Sequence, residues 1–186
     1  AGFNDAIPRG ALTAVKVHFG EQGNTAFIRP HLLKAIVQRI QDCGGKPFLT
    51  DANTLYRGER TEAVSHLLNA LRHGFTESVT GAPVIIADGL KGTDAVSVQV
   101  DGRHFKDASI ASSIHHADAV VSVAHFKGHE LSGFGGTLKN IGMGSGSRSG
   151  KQQMHSDLQP RITGEKCKAC GKCVMWCPAQ AISVSK

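Results

Sequence analysis

The first half of the chain alternates short apolar runs with amphipathic stretches. Residues 11–19, ALTAVKVHF, alternate as a β-strand does, whereas residues 31–43 place apolar side chains at the three- and four-residue spacing of one helical face. Pro30 before that stretch and Gly44 after it are typical of a helix start and a helix end. The same reasoning predicts a strand over residues 46–51, a helix over 61–74 and a strand over 83–88.

The second half of the chain continues this order. The Asp101-Gly102 dipeptide inside VSVQVDGRHF predicts a tight hairpin, and residues 108–117 predict a modest helix. Residues 118–126 are almost continuously apolar, as in a strand that is buried on both faces. Alternating strands and helices predict an α/β fold over residues 1–157: a mostly parallel sheet flanked by helices, with the hairpin as an antiparallel addition.

Charge and composition exclude several classes of protein. The net charge of +6 is dispersed along the chain, which contains only ten aromatic side chains, whereas nucleic-acid binding needs clustered cations and stacking partners. No apolar run reaches the roughly 20 residues of a membrane-spanning helix, and no apolar leader precedes the first strand. We therefore expect no nucleic-acid partner, no membrane association and a cytoplasmic location.

Four of the five cysteines lie within eleven residues. They match the C-x2-C-x2-C-x3-C-P run of bacterial ferredoxins, whose thiolates bind iron-sulfur clusters, and they are Cys167, Cys170, Cys173 and Cys177. A structural zinc site is the alternative, although zinc motifs usually join two C-x2-C pairs across a longer gap. Residues 158–186 are therefore predicted to form a bacterial-type ferredoxin half-domain with one 4Fe-4S cluster.

The fourth thiol of this run has two possible roles. In two-cluster ferredoxins the fourth cysteine of each run binds the other cluster, and this sequence holds a single run. Cys177 therefore either completes the cluster of its own run or serves a second cluster, and we expect the chain to be a piece of a longer protein. The remaining cysteine, Cys43, is interpreted as a small core residue on a helix.

Polar side chains end four of the predicted strands. In open α/β sheets ligands bind beyond the carboxyl ends of the strands, where this sequence places His18, Asp51, Asp88 and His125. Singly, an aspartate here can stabilise a turn and a histidine can be satisfied inside the core. Together, the four residues predict a shared ligand-binding site.

The segment HFKGHELSGFGGTLKN, residues 125–140, follows the longest apolar strand and adds cations and glycines to this site. Glycines let backbone amides approach an anion, and a helix that begins near TLKN would add its positive end. It is not a Walker loop, and GSGSRSGK over residues 144–151 also departs from that motif. A flexible surface loop is the alternative to a site for a small anion or a metal-containing cofactor. The candidates are His125, His129 and Lys139 for catalysis, and Gly135, Gly136 and Asn140 for ligand binding.

Four longer segments carry a family resemblance. KVHFGEQGNT, FLTDANTLYRGER, GAPVIIADGLKG and HFKGHELSGFGGTLKNIGMGSGSR, followed by the cysteine run, resemble the ferredoxin-fused family catalogued as domain of unknown function 362. The resemblance covers essentially the whole chain. It implies an iron-sulfur protein of anaerobic bacteria or archaea with no settled reaction, normally carrying two 4Fe-4S motifs. Against that pattern, this sequence lacks an N-terminal segment and the second cysteine run.

A second similarity concerns SGFGGTLKN, which is similar to the glycine-rich, lysine-containing loop of the nickel-pincer lactate racemase family. This similarity implies that Lys139 is the lysine that tethers the cofactor. It also implies that His125 or His129 is a nearby catalytic or metal-binding histidine.

Three functions fit these patterns. The first is an oxidoreductase or electron carrier, in which the cluster exchanges electrons with a redox partner protein or with a small molecule bound by the α/β domain. The second is a non-redox racemase or lyase with a structural cluster, in which His125 or His129 removes a proton while Lys139, with Arg29 or Arg148, holds a carboxylate. The third is a redox-sensing scaffold. None of the patterns specifies an oligomeric state.

Overall fold

The computed structural model describes residues 2–130, 132–156, 161–176 and 182–184. The elements of the first half are α1 (Phe3–Ala6), β1 (Leu12–Val17), α2 (Pro30–Asp42), β2 (Lys46–Asp51), α3 (Ala63–Arg72), α4 (Glu77–Thr80) and β3 (Val84–Ile86). Those of the second half are β4 (Ala95–Gln99), β5 (Asp107–Ala111), α5 (Ser112–His115), β6 (Ala119–Val123), β7 (Lys127–His129), β8 (Gly133–Gly135), α6 (Thr137–Gly142), α7 (Arg148–Met154), a 3-10 turn (Gly164–Lys166) and α8 (Lys172–Trp176).

A four-stranded parallel sheet in the order β3-β2-β1-β6 forms the centre of the fold. The two middle strands, β1 and β2, are buried at every position after their first residue. This arrangement confirms the predicted α/β class with a mostly parallel sheet flanked by helices. Because all four strands run in the same direction, their carboxyl ends meet at one edge of the sheet.

The main core lies between this sheet and α2. Leu33, Val37 and Ile40 recur on one face of that helix and are fully buried. As predicted, the helix begins at Pro30, which needs no backbone N–H there, and it ends before Gly44, whose φ of 81° few other residues adopt. The apolar spacing in the sequence therefore reports directly which face of the helix is buried.

The hairpin of the second half differs from the prediction. β4 and β5 pair in antiparallel fashion, with Gln99 opposite Asp107, so a seven-residue connection replaces the predicted two-residue turn at Asp101-Gly102. The first four residues of the predicted helix 108–117 belong to β5, and only the next four, Ser112–His115, are helical. Pairing with β4 outweighs the weak helix preference of this Ala- and Ser-rich segment.

The glycine-rich segment after β6 is regular, unlike the flexible surface loop that was the alternative interpretation of residues 125–140. β7 and β8 pair as a short antiparallel hairpin, and α6 follows directly. The next helix, α7, packs closely against β5, because a Cβ atom on Gly150 would lie 2.3 Å from the carbonyl oxygen of Ser109. No helix in the described part of the chain is long and apolar enough to cross a membrane.

Candidate functional site

One cavity of about 760 Å³ opens where the carboxyl ends of β1, β2 and β6 meet β7, β8 and the helices α6 and α7. Eight of the residues that the sequence proposes for a site line this cavity. They are His18, Asp51, His125, His129, Gly135, Gly136, Lys139 and Asn140. The parallel sheet explains the convergence, since strands that are distant in the sequence end side by side.

Three other proposed residues lie elsewhere. Asp88 does not line the cavity, because its Oδ1 accepts hydrogen bonds from the backbone and side-chain nitrogens of Asn53, at 2.9 and 2.8 Å. Burial raises the pKa of Asp88. Arg29 lies over the ring of Phe27, and Arg148 contacts the backbone carbonyl of Thr61, so neither arginine reaches the cavity.

A buried ion-pair network forms the floor of the cavity. Lys16 in β1 places its Nζ 2.9 Å from Asp51 Oδ1, and Arg60 places its Nη1 3.0 Å from Asp51 Oδ2. Burial alone would raise the pKa of Asp51, but Lys16, His66 and Arg60 outweigh it and hold that pKa well below its ordinary value. Asp51 is therefore an anion that fixes two cations, so it is not itself free for a ligand.

The network extends to the cavity wall through Arg60. Its Nε lies 2.8 Å from Glu21 Oε1, and the hydroxyl of Tyr56 donates to the same carboxylate oxygen at 2.5 Å. Burial raises the pKa of Tyr56 to about 12, so its hydroxyl stays protonated. These contacts immobilise the guanidinium of Arg60 beside the cavity.

His18 is a neutral imidazole at the end of β1. Its Nδ1 accepts a hydrogen bond from the backbone N–H of Gly20 at 2.8 Å, so the ring proton of the neutral form lies on Nε2. Burial, and then the charge of Arg60, lower the pKa of His18 to about 4. At neutral pH this residue can donate one hydrogen bond to a ligand but carries no charge.

Asn140 in α6 links the floor to the neighbouring strands. Its Oδ1 accepts from Lys16 Nζ at 2.8 Å, and its Nδ2 donates to the backbone oxygen of Lys16 at 3.0 Å and to Ser122 Oγ at 2.9 Å. Every polar atom of the Asn140 side chain is therefore engaged within the protein. Through these hydrogen bonds Asn140 holds α6 against β1 and β6.

The upper wall of the cavity carries the three catalytic candidates. Lys139 Nζ contacts His129 Nε2, and desolvation followed by the charge of Lys127 lowers the pKa of Lys139. His129 Nδ1 accepts from the backbone N–H of Ser132 at 3.2 Å. Within the described residues His125 Nε2 is buried without a hydrogen-bond partner, so a donor or acceptor on a bound molecule could satisfy it.

Lys151 is a site residue that the sequence did not single out. It lies in α7, is 7% exposed and lines the cavity. Its Nζ donates to the backbone oxygens of Asn53 and Gly146, at 2.8 and 2.6 Å. Burial lowers the pKa of Lys151 to about 8, although Asp51 and Asp88 oppose the shift.

Positive charge dominates the cavity lining. Of its charged side chains, six are lysine or arginine and one is the paired Asp51. The cations that the sequence did not propose are Lys16, Arg57, Arg60, Lys127 and Lys151. Two of them gave a signal: Lys127 lies in the cation-bearing segment 125–140, and Lys16 lies inside the apolar run AVKV, where a lysine is unusual for a strand buried on both faces. The arrangement suits a small anion.

The cysteine segment lies against the rim of this cavity. Arg57, which lines the cavity, donates from its Nη2 to the backbone oxygen of Met175 in α8. The described thiols of Cys167, Cys170 and Cys173 are exposed and unlinked, and Cys177 lies outside the described residues.

The cysteine segment carries thiols, which are the donors that iron-sulfur clusters use. Three thiols fall within seven residues, and the residues between them include Ala169 and Gly171 with φ of 50° and 71°, which bend the backbone between successive cysteines. Among the described residues, no three His, Cys, Asp or Glu side chains are arranged closely enough to hold a metal ion.

Comparison with known proteins assigns the chain to a family. No curated protein and no solved structure matches it significantly. The model of the family described as domain of unknown function (DUF362) matches residues 13–175, which include most of β1, the cavity lining and the first three cysteines of the run. The chain belongs to the DUF362 family.

Proposed function

We propose that this chain is an iron-sulfur protein that exchanges electrons with a small anionic molecule bound in the cavity. The observation that carries the proposal is the hydrogen bond from Arg57 to the carbonyl of Met175. It joins the wall of a cation-lined cavity to α8, the helix that contains Cys173. A ligand in the cavity and a cofactor on the cysteine segment would therefore lie next to each other.

In this proposal residues 158–186 form the ferredoxin-type half-domain. Cys167, Cys170 and Cys173 hold a 4Fe-4S cluster, and Cys177 either completes it or serves a second cluster in a longer protein. Such a cluster supplies single electrons at potentials between roughly −700 and +450 mV. A redox partner protein in the cytoplasm is the other electron source or acceptor.

The α/β domain binds and orients the ligand. Lys127 and Lys139 supply positive charge at the hairpin and at α6, and His18 donates a hydrogen bond from its neutral Nε2 without adding charge. The Lys16–Asp51–Arg60 network holds the floor rigid, since each of its groups is already paired. A cavity with these properties favours a carboxylate or phosphate over a neutral or cationic molecule.

A non-redox racemase or lyase is the second candidate, and the wall formed by His125, His129 and Lys139 favours it. His125 Nε2 lacks a partner within the described residues, and the His129–Lys139 contact joins two groups that can each gain or lose a proton. Desolvation, and then the charge of the neighbouring Lys139, lower the pKa of His129. Such a wall can move a proton without an electron, and the cluster would then be structural.

The test is anaerobic reconstitution with iron and sulfide, followed by assays for iron, acid-labile sulfide and nickel. We expect a visible absorbance that dithionite bleaches reversibly, with Cys170→Ser losing iron and the matched variant Cys43→Ser retaining it. Zinc without acid-labile sulfide in protein purified without oxygen would contradict the proposal. Turnover or ligand binding that is indifferent to the oxidation state of the cluster would favour the racemase or lyase instead.

A further inference from the structure

Lys151 occupies an unusual position for a lysine. The helix α7 begins after Ser147, whose side chain accepts a hydrogen bond from the backbone N–H of Gly150 at 3.2 Å. Because Gly150 has no side chain, the helix approaches the backbone of Ser109 in β5. The next residue, Lys151, is thereby carried inward and lines the cavity while only 7% of its surface is exposed.

The hydrogen bonds of Lys151 suit a neutral amine. A neutral amine has two N–H donors and one lone pair, and the two carbonyl oxygens of Asn53 and Gly146 accept both donors. The remaining tetrahedral direction at Nζ then holds the lone pair. Since Lys151 lines the cavity, that lone pair is available to a molecule bound there.

Charge pairing separates Lys151 from Lys16, the other buried lysine of the same cavity. Lys16 lies 2.9 Å from a carboxylate oxygen of Asp51 and must be an ammonium ion. Lys151 takes part in none of the ion pairs found between described residues. A buried lysine without a carboxylate partner loses its proton readily, and such lysines form covalent adducts with carbonyl compounds.

We propose that Lys151 forms an imine with the carbonyl carbon of a small oxo acid bound in the cavity. The lone pair of Nζ attacks the carbonyl carbon, the π electrons move to the oxygen, and proton transfers give a carbinolamine. Loss of one water molecule forms the C=N bond, so that amine and carbonyl are converted into imine and water without an oxidant or reductant. The carboxylate of the oxo acid would face the cations Lys127 and Lys139.

This inference deepens the proposed function, since it rests on the cavity being an anion site and names the class of anion. Burial also supports it, because it lowers the pKa of Lys151 to about 8. At pH 7 about a tenth of such a lysine is neutral, compared with roughly one part in a few thousand for an ordinary lysine. The imine itself needs no cluster.

The experiment is reductive trapping of the full chain with glyoxylate and cyanoborohydride, followed by peptide mapping. Reduction of a glyoxylate imine leaves a carboxymethyl group on the nitrogen, which marks the reacting lysine. We expect one group per chain, on Lys151, formed at least about tenfold faster at pH 7 than on the other lysines. The trapping rate should rise with pH through about 8, where the amine loses its proton.

Two variants complete the test. Lys151→Met should abolish the fast modification. Lys139→Ala should leave Lys151 reactive, but a higher glyoxylate concentration should be needed to reach the same trapping rate. Carboxymethyl groups spread evenly over many lysines, or found on Lys139 instead of Lys151, would overturn the imine. If glyoxylate still alters the reduction of the cluster while Lys151 stays unmodified, only the imine fails. If no anion binds at all, the proposed function fails with it.

Discussion

Lys16 Nζ lies 2.9 Å from Asp51 Oδ1 inside the fold, with the two side chains 1% and 4% exposed. They come from adjacent strands, since Lys16 pairs in register with Thr50, the residue before Asp51. Removing two charges from water costs several kcal/mol per ion, so such a pair adds little to stability by itself. Its position at the floor of the cavity points instead to a role in fixing the charge of the site.

The first prediction concerns this ion pair. Asp51→Asn would leave Lys16 and Arg60 buried without their anion, and we expect a loss of about 3–5 kcal/mol in the free energy of unfolding. Urea denaturation monitored by circular dichroism measures it. Glu21→Gln is the matched control, because Glu21 also binds Arg60 but its side chain is 29% exposed; it should cost about 1 kcal/mol. Equal losses in the two variants would contradict this assignment.

The second prediction is a pH dependence caused by His18. Its pKa falls from 6.5 to about 4 on folding, mainly because of burial. Between these values the unfolded chain binds a proton that the folded chain does not, so stability contributed by His18 falls as the pH decreases from about 6.5 to 4. The largest expected loss in the free energy of unfolding from this source is about 3 kcal/mol.

His18→Asn isolates this contribution, because its side-chain oxygen can still accept the Gly20 N–H while no proton is taken up. We expect the free energy of unfolding of the variant to change less with pH than that of the wild type between pH 6.5 and 4. Parallel curves over this range would show that His18 does not titrate as inferred.

The third prediction concerns anion binding by Lys139. Lys139→Ala should weaken, without abolishing, the binding of oxo acids such as glyoxylate or pyruvate, measured by calorimetry, while costing under about 1 kcal/mol of stability, as substitutions near the surface usually do. Lys91→Ala, an exposed lysine outside the cavity, is the control and should bind normally. An unchanged affinity in the Lys139 variant would remove Lys139 from the site.

The fourth prediction concerns the contact between the cavity wall and the cysteine segment. Arg57→Ala removes the donor to the Met175 carbonyl, so the cysteine segment should become more susceptible to limited proteolysis while iron content stays unchanged. Arg72→Ala is the control, since the side chain of Arg72 forms an exposed ion pair with Glu59 and does not line the cavity. Equal proteolysis of both variants and wild type would show that the contact does not hold the segment.

The sequence predicted those parts of the fold that are specified by local spacing. The burial of Leu33, Val37 and Ile40 follows from a helical period, and the parallel sheet follows from alternating strands and helices. β5 was mistaken for a helix because its strand identity depends on pairing with β4, which is a tertiary contact. Local pattern carries no information about such a partner.

In the site, too, local sequence pattern predicted some residues, whereas others depend on tertiary packing. The rule that ligands bind at strand ends brought His18, Asp51 and His125 to one cavity. Arg60 and Lys151 were missed because they come from a loop and a late helix whose approach to the sheet depends on packing. Asp88 lies outside the cavity and pairs with Asn53, and in the sequence such an aspartate has the same pattern as one that faces a ligand.

The tight packing of Gly150 against Ser109 limits which residues position 150 can accept. Any larger residue at position 150 would push α7 outward, and Lys151 would move with it toward water. Contact with water would raise the pKa of Lys151 toward its ordinary value, although no charged residue had been substituted. The reactivity of a lysine can thus be tuned by the absence of one methyl group on its neighbour.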